Sequence, residues 1–167
     1  KKASDTSARE TGERKKIERA IRWIVQAFKQ GGRLFYVGAG TSGRLGVLDA
    51  SECPPTFRAA PDQVQGIIAG GQKALWTSVE GAEDDAAAGG RAIRFRRVKR
   101  ADVVIGIAAS GRTPFVWGAL GAAARRGART ILVCFNPSLK TRRGHPPDLV
   151  IAPAIGPEVL TGSTRLK

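Results

Sequence analysis

The sequence predicts an α/β fold built on a parallel sheet with helices on both faces. Two observations carry this. Five short apolar runs, rich in Val, Ile and Leu, are nearly unbroken, as strands covered on both sides should be. Helical stretches separate several of these runs, and strand–helix alternation specifies a doubly wound sheet with right-handed crossovers.

Each element follows in turn. Residues 1–14 are polar and predict a flexible lead-in. Ile17, Ala20, Ile21, Ile24, Val25 and Phe28 then step by three and four, making one apolar helical stripe. Gly31 and Gly32 end that helix. Leu34–Val37 reads as the first strand, Val64–Ala69 as the second and Asp102–Ala108 as the third. Thr130–Phe135 and Leu149–Ala152 supply the fourth and fifth. Between them, Arg44–Ser51 reads as a helix that Pro54 ends. Helical sequence over 73–95 is broken by Gly81 and by Gly89-Gly90, and a further helix covers Thr113–Arg126 with Pro114 near its first position.

The chain has 167 residues, 42% of them hydrophobic, which suits one domain with a substantial core. No apolar run is long enough for a membrane span. The polar N-terminal stretch does not read as a signal peptide, and Cys53 and Cys134 form no metal or disulfide pattern. A reduced, cytoplasmic setting is expected. The 28 Lys and Arg against 14 Asp and Glu give a net charge of +14. The basic residues cluster at Arg91–Arg100 and Lys140–Arg143, yet few aromatics interleave and no recognition module accompanies them. Solvated faces account for the excess, and no specific nucleic-acid partner is expected.

Ligands of such sheets bind beyond the carboxyl ends of the strands. The first strand runs into Gly38-Ala39-Gly40-Thr41-Ser42-Gly43, and the third into Ala109-Ser110-Gly111-Arg112-Thr113. Both loops open a helix. Glycine permits close backbone approach, the helix end offers free N–H groups, and Ser and Thr add neutral donors. A phosphate monoester fits that set. The glycine spacing also satisfies GxGxxG, but Ala69-Gly70-Gly71 lacks the ribose-binding acid of a dinucleotide site. Helix capping by Thr41 and Ser42 is the plainer alternative. A third hydroxyl cluster, Thr161-Gly162-Ser163-Thr164, follows the fifth strand.

Carboxylates gather at Glu80-Gly81-Ala82-Glu83-Asp84-Asp85, and Glu52 sits in the proline-ended Ser51-Glu52-Cys53-Pro54-Pro55. Two carboxylates in a crevice can divide acid and base work. An acidic helix start, or a helix-end surface residue, would explain them without chemistry. His145 reads as structural, and both cysteines as small apolar fillers.

The words GRLFYVGAGTSGRLGVLDASECPPTF (32–57), IIAGGQKALWTSVEGAEDD (67–85), DVVIGIAASGRTPFVWGAL (102–120) and IGPEVLTGSTRLK (155–167) closely resemble the N-acetylmuramic acid 6-phosphate etherases. These belong to the sugar isomerase (SIS) superfamily with the animal glucokinase regulatory protein. The resemblance implies a three-layer sandwich with strand order 2-1-3-4-5, and one SIS domain over 15–167 that lacks the family's helical C-terminal part. It also implies removal of D-lactate from N-acetylmuramic acid 6-phosphate by elimination and hydration, without metal or cofactor. By resemblance Glu52 protonates the leaving lactate oxygen and Glu83 is the base at C2. Ser42, Ser110, Ser163 and Thr164 belong to the sugar-phosphate site, with Thr41, Gly43, Gly111 and Thr113 beside them. A homodimer is implied. A regulator that binds sugar phosphate without turnover is the alternative. The segment SLKTRRGHPPD (138–148) departs from the family pattern.

Overall fold

The computed structural model describes residues 2–139 and 146–154, with side chains from Gly12 onward. The elements are α1 (Lys2–Lys29), β1 (Leu34–Gly38), α2 (Gly40–Phe57), β2 (Val64–Ile68), α3 (Ala86–Phe95), β3 (Val103–Ile107), α4 (Pro114–Arg125), β4 (Arg129–Val133) and β5 (Leu149–Ile151). Short 3-10 turns, Gly71–Leu75 and Ala82–Asp84, link β2 to α3. The described strands form one parallel sheet in the order β2-β1-β3-β4-β5.

Alternate residues of each strand face opposite layers. On β1, Phe35 and Val37 join Val104, Leu132, Ile93, Phe115 and Leu120 under α3 and α4. Leu34 and Tyr36 point to the other face, with Val103, Ile105 and Ile131 under α1 and α2. The result is the three-layer sandwich that the resemblance implied.

Three sequence expectations need correction. Helix α1 runs from Lys2 to Lys29. Within it, Glu13 accepts a hydrogen bond from the Ala152 N–H at 2.9 Å, which ties this part of the helix to the end of β5. The apolar stripe of α1 is only half used. Ala20, Trp23, Ile24 and Phe28 pack on the sheet, while Ile17, Ile21 and Val25 are about half exposed.

Helix α2 does not stop at Pro54 but continues through Pro54 and Pro55 to Phe57. The rings remove the N–H groups that the Ala50 and Ser51 carbonyls would accept. Close seating on the sheet overrides that local loss. A Cβ at Gly46 would lie 2.7 Å from the Tyr36 Cβ, and one at Gly43 would lie 2.6 Å from Ile68 Cγ1. Arg58, at φ 54°, then turns the chain away.

Gly89 and Gly90 do not break a helix; both are buried inside α3. A Cβ at Gly89 would collide with the Phe115 carbonyl, and one at Gly118 with the Ala86 carbonyl. These glycines let α3 and α4 touch backbone to backbone.

Candidate active site

The two hydroxyl-rich loops emerge side by side, because Gly38 of β1 is in register with Ile107 of β3. This is the point where the strand order reverses. Chain leaving β1 enters α2 after a single residue, Ala39, which is the N-cap and contributes no side-chain bond. The Gly43 N–H turns back to the Ala39 carbonyl at 3.2 Å. The N–H groups of Gly40, Thr41 and Ser42 precede that bond and are the free donors of the helix start. Thr41 and Ser42 therefore lie within the first turn, both half-buried, and neither caps the helix.

The β3 loop is more tightly held. The Gly111 N–H bonds the Ala108 carbonyl at 2.8 Å, and the Arg112 N–H donates to Ser110 Oγ at 3.2 Å. The Ser110 hydroxyl keeps its own proton to donate, and it is exposed. Gly111 has φ 71°, and a Cβ there would press on Leu139. Trp117 donates its indole N–H to the Gly111 carbonyl at 2.8 Å. Asn136 Nδ2 donates to the Ser110 carbonyl at 3.3 Å. Thr113 is the N-cap of α4 without a side-chain cap bond, and Pro114 takes the first helical position. Sequence reasoning missed Trp117 and Asn136, although both lie within or beside the motifs.

A crevice of about 300 Å³ adjoins the start of α2, toward β2. Gly40, Arg44, Ser78, Glu80, Gly81 and Glu83 are among its lining residues. The acidic run thus divides. Glu80 and Glu83 face the crevice, whereas Asp85 caps α3 by accepting the Ala88 N–H at 2.7 Å and pairs with Arg91 at 2.9 Å. That cap bond, with the Arg91 guanidinium, holds the Asp85 carboxyl below the ordinary range.

Glu52 is elsewhere. It lies twelve residues beyond Gly40 on α2, about 18 Å along the helix axis. It is exposed and does not line the crevice. Leu45, Leu48 and Glu52 are spaced three and four apart, so they share one face. That face is the outer one, since Gly43, Gly46 and Ala50 are buried against the sheet. Both leucines are 58% exposed. Beneath them Tyr36 is pushed well above its ordinary pKa, chiefly by burial and then by its hydrogen bond to Asp49. Burial, then the Asp49 charge, also pushes the Cys53 thiol up. Cys134 is fully buried, as a filler should be.

Ser163 and Thr164, with His145 and the basic residues 140–143, lie outside the described residues. A larger crevice of about 690 Å³ opens at the opposite, amino end of the sheet, between Trp23, Gln26, Arg100 and Arg129. None of the candidate site residues lines it, so the smaller crevice, which adjoins the β1 loop and includes Glu83, is the candidate site. Part of the basic run is engaged in the fold: Arg96 donates to Gln65 at 2.8 Å, and Arg91 holds Asp85. Among the described residues no helix is long and apolar enough to cross a membrane, and no group of three His, Cys, Asp or Glu could hold a metal ion.

Residues 16–124 match the family described as the glucokinase regulatory protein N-terminal SIS domain. Curated relatives named N-acetylmuramic acid 6-phosphate etherase include those of Rhizobium rhizogenes, 56% identical over 90% of this chain and 48% of the relative, and Gloeobacter violaceus, 58% identical over 90% and 49%. The chain spans about half the length of the curated relatives it matches. Among solved structures, phosphoheptose isomerase from Neisseria gonorrhoeae shares the fold, with a TM-score of 0.52 at 16% identity over 79% of this chain and 69% of that one. Sequence words, sheet order and relatives agree, and the chain belongs to the SIS-domain family of the glucokinase regulatory protein N-terminal domain, with the N-acetylmuramic acid 6-phosphate etherases as its relatives.

Proposed function

We propose that this domain binds a 6-phosphorylated N-acetyl amino sugar and forms half of an etherase site that releases D-lactate from N-acetylmuramic acid 6-phosphate. The observation that carries the reading is the pair of adjacent loops whose hydroxyls are not spent on capping. Ser42, Ser110 and Thr113, with the amides of Gly40 and Thr41, surround the strand-order reversal and suit a phosphate dianion. Gly43 and Gly111 let the backbone come close. Ser163 and Thr164 complete the set by resemblance.

With phosphate at the loops, the sugar ring extends over the crevice toward Glu83. Glu83 takes the C2 proton and the C3–O bond breaks. A second acid protonates the departing lactate oxygen, and water then adds across C2=C3. The net change consumes one water and yields N-acetylglucosamine 6-phosphate and D-lactate. Each proton needs its own partner, because the C2 hydrogen is weakly acidic and an ether oxygen leaves poorly.

The acid assigned by resemblance, Glu52, cannot act in the crevice of its own chain from the outer face of α2. A second copy resolves this. The exposed Leu45–Leu48–Glu52 stripe suits a two-fold interface, across which each Glu52 enters the other copy's site. A homodimer is thus part of the proposal, and both carboxylates can act on neighbouring carbons.

The test uses the native polypeptide with N-acetylmuramic acid 6-phosphate in deuterated water. Lactate release is expected. Glu52→Gln should block release yet retain C2 hydrogen exchange, and Glu83→Gln should abolish both. Sugar-phosphate binding without release, indifferent to both changes, would favour the regulator.

A further inference from the structure

Arg44 supplies the single cation among the described residues that line the crevice, and it shares that space with Glu80 and Glu83. It stands in the second turn of α2, just past the free amides. Its Nε donates to the Leu75 carbonyl at 3.2 Å, so the 3-10 turn after β2 anchors one edge of the guanidinium. A guanidinium has a second edge, formed by its two terminal nitrogens, which matches a carboxylate with two parallel hydrogen bonds. Among the described residues no carboxylate lies within ion-pair distance of Arg44, so that edge is unclaimed. The phosphate has other partners, the amides and hydroxyls of the two loops.

We propose that Arg44 forms a carboxylate subsite that selects sugar phosphates carrying an acidic ether substituent. The inference rests on the functional reading above and deepens it. The lactyl group hangs from C3, next to the C2 carbon whose proton goes to Glu83. Arg44 lines the same crevice as Glu83, so a fork there is placed to take the lactyl carboxylate. It also offsets the charge of two glutamates that would otherwise repel an acidic substrate. The product sugar has no carboxylate and gains nothing from Arg44. The subsite therefore favours substrate over product.

Binding is measured by calorimetry in a Glu83→Gln background, so that no turnover occurs, with N-acetylmuramic acid 6-phosphate and N-acetylglucosamine 6-phosphate as probes. Arg44→Gln should weaken the muramic ligand about 10- to 100-fold, the loss expected for a charge-assisted pair. It should leave the glucosamine ligand within about twofold. Arg44→Lys keeps the charge but loses the fork, and should fall between. It also serves if the Gln variant does not fold. Equal weakening of both ligands would overturn the subsite and show that Arg44 serves the phosphate or the turn at Leu75. Unchanged muramic affinity would overturn it too. If the parent protein binds neither sugar phosphate, the functional reading itself fails, which the glucosamine arm reveals independently of Arg44.

Discussion

Trp117 reaches back from the first turn of α4 and donates its indole N–H to the Gly111 carbonyl at 2.8 Å. The bond holds Gly111, the positive-φ residue between Ser110 and Arg112, whose N–H donates to the Ser110 hydroxyl. Trp117→Phe keeps an aromatic ring, though a smaller one, and deletes the donor. The Gly111 carbonyl then needs a new partner, at a cost of about 1 kcal/mol. Affinity for a sugar 6-phosphate should fall several-fold while the thermal midpoint moves only slightly. Unchanged affinity would mean that the loop holds its shape without this bond.

Asp102 is fully buried beside the start of β3 and accepts from the Arg33 N–H at 2.9 Å, the Lys99 N–H at 2.8 Å and the Arg33 guanidinium at 2.9 Å. It ties the turn before β1 to the turn before β3. Asp102→Ala strands those donors and should cost about 3–5 kcal/mol of unfolding free energy. Urea denaturation reads this directly. A loss below about 1 kcal/mol would contradict the bond count.

Asp85 links stability to acidity. Its carboxyl is held low chiefly by the Ala88 N–H and then by Arg91. A lowered folded value means that its contribution is complete above the ordinary unfolded Asp value of about 4 and is lost as pH falls through the folded value. The thermal midpoint should therefore decline on acidification below about pH 4. Asp85→Asn retains a capping oxygen but cannot titrate, so this part of the decline should flatten. An identical pH slope in the variant would exclude Asp85 as its source.

Much of the fold was readable because buried parallel strands write themselves as continuous apolar runs. Val103 to Ile107 and Arg129 to Val133 lie within one or two residues of where the pattern put them. Packing decided the rest. Pro54 predicted a helix end, but α2 is seated so closely on Tyr36 and Ile68 that it continues. Gly89 and Gly90 resembled breakers because sequence does not reveal that α4 will press against them. Ile17, Ile21 and Val25 fit the periodicity of a buried stripe, yet α1 packs through Ala20, Trp23, Ile24, Ala27 and Phe28 and leaves them about half exposed.

The candidate site was readable where motif and backbone coincide. Ser42 and Ser110 follow the ends of β1 and β3, and a strand end is visible in sequence, whereas Glu83 sits in the 3-10 turn Ala82–Asp84 and was legible only from its acidic run and the family words. Arg44 was read only as the start of a helix, since its anchor is the Leu75 carbonyl, 31 residues away. Glu52 shows the limit most clearly. Its spacing from Leu45 and Leu48 puts it on one face, but only the structure shows that this face turns outward from the sheet.

That placement makes one measurement decisive. Inactive Glu52→Gln and inactive Glu83→Gln proteins are mixed, allowed to exchange subunits, and assayed for lactate release from N-acetylmuramic acid 6-phosphate. If each site draws Glu83 from one copy and Glu52 from the other, every mixed dimer regains one intact site. Random pairing makes half the dimers mixed, so activity should return to roughly a quarter of the unmutated level. No recovery in a mixture shown to contain mixed dimers would place both carboxylates in the same chain's site and contradict the shared-site account.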